Sequence, residues 1–170
     1  MITLQTRISS DTRKVVGEAP AVVLINPKYQ ENFSSVVRAC ACFDVKQLWY
    51  TGNRITFNPK RLPRELRLKD YLLTNIYQDD RFFDRFPTSI KPVAIEILPG
   101  AQNLSNFEWD FDNNILLFGP EDGSIPSNIL RNCVSFVQIP TNYCINLSAA
   151  CYLALYDRAS KLERKTNPWN

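Results

Sequence analysis

The 170-residue chain contains no histidine, and that absence does most to narrow its chemistry. Histidine triads, histidine general acids and the usual zinc sites are excluded. Any reaction must draw on Arg, Glu, Asp, Asn, Ser, Thr, Tyr, Cys, Lys or backbone groups. Long apolar runs are also missing: none approaches the length of a membrane-crossing helix. The first seven residues, Met1 to Arg7, lack the apolar stretch of a signal peptide, so a cytoplasmic protein without a membrane partner is expected. The five cysteines show no Cys-x-x-Cys spacing and mostly sit within apolar sequence, which predicts reduced, buried thiols and no disulfide framework. No Walker-type or dinucleotide-type glycine loop occurs, which argues against a general nucleotide-binding α/β enzyme. Internal repeats, low-complexity stretches and interdomain linkers are absent as well.

What is present fits one soluble globular domain spanning 1–170, with a core over about 21–164 and short tails. The length suffices for a single buried core, and 45% hydrophobic with 22% charged residues is ordinary. A net charge of +3 permits an acidic partner such as RNA without requiring one.

Short β-rich runs alternate with helical patterns, which predicts an α/β fold with a mostly parallel sheet flanked by helices. Ala21 to Ile25 is a continuous apolar run, as in a strand covered on both faces, and ends at the turn signal Asn26-Pro27. Phe33, Val36, Val37 and Cys40 recur at helical spacing, predicting a helix over 31–43. Further strands are expected at 47–50, 76–77, 93–98, 115–118 and 134–139, with a short helix over 81–86. Turn-forming residues follow the later strands, at Pro99-Gly100, Gly119-Pro120 and Pro140. Ligand sites in open α/β sheets lie at such carboxyl strand ends. A last helix runs from about Asn146 to Arg164, with Leu147, Ala150, Cys151, Ala154, Leu155 and Leu162 on one face. Tyr152 and Tyr156 widen its apolar surface enough to suggest burial against another subunit.

Two segments are rich in basic residues. Between Arg54 and Lys69, Arg54, Lys60, Arg61, Arg64, Arg67 and Lys69 accompany one acid, Glu65, and Pro59 and Pro63 prevent a long helix. Arg158, Lys161, Arg164 and Lys165 form a smaller cluster. Each is either a solvated surface or a set of phosphate contacts. Trp49, Tyr50, Phe57 and Tyr71 are either core or platforms for exposed bases.

Three short segments carry the remaining polar signals. Asn32-Phe33-Ser34-Ser35-Val36-Val37-Arg38 places Asn32 and Arg38 six residues apart. Phe118-Gly119-Pro120-Glu121-Asp122-Gly123 is a plain reverse turn or a loop whose Gly119 lets backbone approach a nucleoside closely. Ile139-Pro140-Thr141, followed by Cys144-Ile145-Asn146-Leu147, ends with an asparagine suited to capping the last helix.

Together and in this order, the three segments resemble the motifs of the SPOUT RNA methyltransferases, specifically the TrmH-like (SpoU) branch that methylates ribose 2′-hydroxyls. The resemblance covers Ala21 to Arg164. In that family the first motif reads Asn-x-Gly followed by an Arg at the spacing of Arg38; here Ser34 replaces the Gly, and Asp44 replaces a second Gly after the helix. The second motif's Glu is Glu121, with Ser124 where the family keeps a Gly. The third reads Ser-x-Asn, matched by Cys144-Ile145-Asn146.

The resemblance implies a SPOUT-type fold with a C-terminal deep trefoil knot and S-adenosylmethionine as cofactor. It implies catalysis by Arg38, Asn32, Glu121 and Asn146, and cofactor binding by Leu98, Gly100, Gly119, Ile139, Cys144 and Leu147. It also implies a tRNA or rRNA substrate and a homodimer in which Arg38 of one chain meets Glu121 and Asn146 of the other. No metal and no additional RNA-binding domain are expected. The departures at Ser34, Asp44, Ser124 and Cys144 leave open a catalytically inactive RNA-binding module of the same fold.

Overall fold

The structure, a computed structural model, describes residues 12–56, 58, 60 and 74–166. Phe57, Tyr71 and the basic residues from Arg61 to Lys69 lie outside the described residues, as do the side chains of Arg164 and Lys165.

Seven strands build a single parallel sheet: β1 (Ala21–Leu24), β2 (Gln47–Tyr50), β3 (Asn75–Gln78), β4 (Lys91–Ile95), β5 (Gln102–Asn103), β6 (Asn114–Phe118) and β7 (Ser135–Gln138). Their order across the sheet is β3-β2-β1-β6-β4-β7-β5. Among the described residues the α-helices are α1 (Gln30–Cys42), α2 (Ser127–Leu130) and α3 (Leu147–Thr166).

The central strands are buried throughout because both sheet faces are covered. Their side chains alternate between two cores. Val22, Leu24, Leu116 and Phe118 join α1 and α3 on one face. Ala21, Val23, Ile115 and Leu117 join Trp49, Phe82 and Phe86 on the other. Trp49 and Tyr50 are therefore core, not base platforms.

α1 ends one residue after Cys42 in a Schellman-type cap, where the Val45 amide donates to the Cys40 carbonyl at 2.9 Å. Asp44 occupies the left-handed position of that cap at φ 56°. This is the conformation a glycine adopts most readily, and Asp is among the few other residues that tolerate it.

Three readings of the sequence are corrected. β4 stops at Ile95 instead of reaching Leu98, because the Glu96 side chain accepts the Ile97 amide and turns the chain out of the sheet. Arg158 and Lys161 are not an RNA-facing cluster. Arg158 is 7% exposed and donates to the Phe111 carbonyl, while Lys161 pairs with Asp157 and donates to the Leu104 and Phe107 carbonyls. Burial lowers the Arg158 pKa, and the Asp112 charge opposes that effect. The thiols are only partly buried: Cys40 and Cys151 are in the core, Cys133 is intermediate, and Cys42 and Cys144 are exposed, all of them free. Burial pushes the Cys133 thiol up to about 11.

Candidate active site

In a parallel sheet all carboxyl strand ends lie along one edge, so the loops after β1, β4, β6 and β7 gather there. Hydrogen bonds between strand ends hold the edge together. The Ile25 amide donates to the Phe118 carbonyl at 2.9 Å, and the Glu96 amide donates to the Val137 carbonyl at 2.9 Å.

Glu121 organises the centre of this edge. Its Oε2 accepts the Lys28 amide at 2.8 Å, while Oε1 accepts the Tyr29 amide at 3.3 Å and Asn32 Nδ2 at 3.0 Å. Tyr29 is the N-cap residue of α1 and supplies no side-chain cap. The carboxylate of a distant loop therefore takes that role, favoured by the positive end of the helix dipole. Burial raises the pKa of Glu121, but the bonds from Asn32 and the Lys28 and Tyr29 amides outweigh it, leaving the group below its ordinary value. Glu121 is an ionised acceptor at neutral pH.

The chain of contacts continues into the third segment. Asn146 Nδ2 donates to Asn32 Oδ1 at 2.9 Å. The Asn146 Oδ1 accepts the Ser148 amide at 2.8 Å, capping α3. The two ends of the Asn146 amide thus serve separately, one capping α3 and the other reaching Asn32. Residues separated by 114 and 89 positions meet in one relay: Asn146, Asn32, Glu121.

Arg38 is exposed and takes no part in that relay. Six residues along α1 advance about 9 Å and rotate the side chain about 120° away from Asn32. Arg38 instead lies beside α3: burial pushes the Tyr152 phenol up, and the nearby Arg38 charge offsets part of that push. Beyond Glu121, Asp122 pairs with Arg54 at 2.9 Å and Lys28 at 3.2 Å, and these two cations hold its carboxyl below the usual value.

An open cleft with about 160 Å³ of enclosed space, or about 720 Å³ with its mouth included, lies beside the relay. Gly119, Ile139, Cys144 and Leu147 line it, whereas Leu98 and Gly100 do not. The latter pair form the turn in which the Ala101 amide donates to the Leu98 carbonyl, with Gly100 at φ 80°. The strand end they were expected to extend contributes Ile95, Glu96 and Ile97 in their place. A second cleft adjoins the first through Glu121, Cys144, Ile145 and Leu147, and is lined also by Tyr29, Glu31, Asn32 and Asn146.

The first cleft fits an adenosyl cofactor. Ile95, Phe118, Ile139 and Leu147 give it apolar walls, and Thr141 and two carboxylates give it polar groups. A Cβ on Gly119 would stand 3.2 Å from both Glu96 Oε2 and the Ile125 amide nitrogen. Glycine lets the loop after β6 pack closely against Glu96 and Ile125. Gly123 has no such constraint, since a Cβ there would meet only Pro120, at 3.6 Å.

Glu96 was missed from sequence. Its signal was a lone carboxylate interrupting the apolar run from Val93 to Leu98 at the point where the strand ends. Among the described residues, no group of three or more His, Cys, Asp or Glu side chains is placed to hold a metal, and no helix is long and apolar enough to cross a membrane.

The sequence profile of the SpoU rRNA Methylase family matches residues 19–156. A tRNA (cytidine-2'-O-)-methyltransferase, TrmJ of Methanocaldococcus jannaschii, is 24% identical over 168 residues, spanning 85% of this chain and 69% of that protein. The TrmH/SpoU tRNA modifying enzyme of A. aeolicus superposes with a TM-score of 0.66 at 21% identity, over 85% of this chain and 76% of the other. The AdoMet-bound rRNA methyltransferase of Sinorhizobium meliloti does so with a TM-score of 0.72 at 19% identity, over 95% and 62%.

Proposed function

Because the chain belongs to the SpoU rRNA methylase family, we propose that it transfers a methyl group from S-adenosylmethionine to a ribose 2′-hydroxyl of tRNA or rRNA. The observation that carries this reading is the hydrogen-bonded relay Asn146–Asn32–Glu121, which joins all three motifs beside an open cleft at the carboxyl strand ends.

The first cleft would hold the cofactor, with Gly119, Ile139, Cys144 and Leu147 against it. Bound there, S-adenosylmethionine supplies a methyl group activated by its sulfonium. The adjoining cleft would take the target nucleotide. Asn32 and Asn146 each spend one N–H on the relay and keep a second. Both residues line the second cleft, where those donors would orient ribose or phosphate oxygens. With reactants fixed on either side of the shared wall, positioning supplies much of the rate.

Glu121 is a poor proton acceptor, since three donors hold its pKa low. Its work is to fix the Lys28 and Tyr29 amides and the Asn32 side chain. Arg38 cannot abstract the proton either, because a guanidinium stays protonated far above neutrality. It would instead hold a phosphate and stabilise negative charge developing on the ribose oxygen.

Turned away from the relay within its own chain, Arg38 would reach such a site from a second copy. We therefore propose a homodimer joined through the face where α1 and α3 lie side by side. That face carries exposed Leu153 and Tyr156, apolar surface suited to a subunit contact. Cytoplasmic location and the trefoil threading of the C-terminal segment belong to the same proposal.

The test is transfer of labelled methyl from S-adenosylmethionine to RNA, with digestion to nucleosides. A 2′-O-methylnucleoside from wild type, reduced about a hundredfold or more in Arg38→Ala, is the expected result. No incorporation into any RNA would favour the inactive RNA-binding module. Equal incorporation by both proteins would remove Arg38 from the site.

A further inference from the structure

The cofactor cleft holds two carboxylates, Glu96 and Glu121, and its described lining contains no basic side chain. The partners of Glu121 are all neutral donors. Glu96 is similar: its Oε1 accepts the Ile97 amide at 2.9 Å and its Oε2 accepts the Ile125 amide at 3.1 Å. No cation among the described residues pairs with either. Glu96 is half-buried and lines the cleft beside Gly119, with its Oε2 3.2 Å from the position a Gly119 Cβ would occupy.

Two backbone amides explain why an acceptor stands here, since they tie the end of β4 to the loop after β6. They do not explain why the acceptor is charged. A neutral acceptor satisfies an amide, whereas an ionised group taken partly out of water without a counter-ion carries a desolvation cost. A carboxylate offers about four lone-pair sites, and the two backbone donors occupy about half of them. A cationic ligand would offset the cost, and coulombic attraction in a partly desolvated cleft exceeds that in bulk water.

We propose that Glu96 is a specificity-determining residue whose charge makes the cleft prefer the sulfonium-bearing cofactor over its neutral, demethylated product. The inference rests on the cofactor reading given above. It concerns a residue outside the three motifs and adds a consequence: loss of the methyl group removes the charge that the cleft holds, so the spent cofactor is released more readily.

Isothermal titration of wild type, Glu96→Gln and Glu96→Asp with S-adenosylmethionine and S-adenosylhomocysteine tests it. The expected result is that Glu96→Gln loses about tenfold in affinity for S-adenosylmethionine and less than about threefold for S-adenosylhomocysteine. Glu96→Asp, which keeps the charge, should keep the preference. Equal losses for both ligands in Glu96→Gln would show a loop clamp only and overturn the proposal, as would no loss for either. If Glu96→Gln fails to fold by circular dichroism, the wild-type preference is compared at low and high salt. A preference that shrinks with salt supports the charge, and one that does not overturns it. A wild type that binds neither compound sinks the cofactor reading and this inference together, whereas the other outcomes touch Glu96 alone.

Discussion

Glu121 caps a helix that it does not belong to. Tyr29 at the N-cap of α1 supplies no side-chain bond, and the carboxylate that replaces it comes from 92 residues away. The capping therefore couples the formation of α1 to the loop after β6, and Asn32 is fixed by the same group. With the folded pKa of Glu121 depressed, its contribution to stability is complete above the ordinary value of 4.5 and is lost as pH falls through the lower folded value. In chemical denaturation, the gap between wild type and Glu121→Gln should stay constant between about pH 8 and about pH 6 and narrow only in acid. A gap that narrows near neutrality would contradict the assignment. Methyl transfer by the variant should fall about a hundredfold, the scale expected when a positioned group is displaced.

Among the elements, α1 shows how a departure from a family pattern can be read physically. Asp44 replaces a family glycine, yet it takes φ 56°, and the Val45-to-Cys40 bond closes the cap regardless. Glycine at this position gains backbone ease but loosens the unfolded chain, so Asp44→Gly should change stability by less than about 1 kcal/mol. Asp44→Val, which puts a β-branched residue at positive φ, should cost about 1–2 kcal/mol in urea unfolding. Equal costs would mean that the cap opens.

The sequence made α1 and the buried strands legible because apolar periodicity is a direct record of burial, and α1 was displaced by only one residue from the expected 31–43. Elements without a face to bury left no such record. β5 has two residues and α2 has four, too few for a period to show. Arg158 and Lys161 failed for another reason: charge at a helix end suggested solvent. Spacing held the better answer, since Arg158 lies four residues after Ala154 and three after Leu155, both buried, on the same stripe. Three carbonyls and a ring inside the fold, not RNA, receive the pair. In the site, the motifs singled out Asn32, Glu121 and Asn146, but not the hydrogen bonds that join them. They did not single out Glu96, because its role depends on how three strand ends meet.

For the whole molecule, the relay and Arg38 make opposite demands on one short helix. Asn32 must face the loops after β6 and β7, which leaves Arg38 turned away beside Tyr152. A single chain therefore holds the amides and carboxylate of the proposed site, and a two-fold partner would supply the cation. Arg38→Ala and Asn146→Ala should each abolish methyl transfer as pure proteins. Mixed under conditions of subunit exchange, half of the dimers become hybrids, and each hybrid rebuilds one of its two sites from wild-type residues. The mixture should then recover about a quarter of wild-type activity, with no new contact beyond those of the parent dimer. Both variants must still elute as dimers in size-exclusion chromatography for the comparison to hold. Zero recovery with intact exchange would place Arg38 and Asn146 in the same chain's site, and α1 would then have to turn on its axis to bring them together.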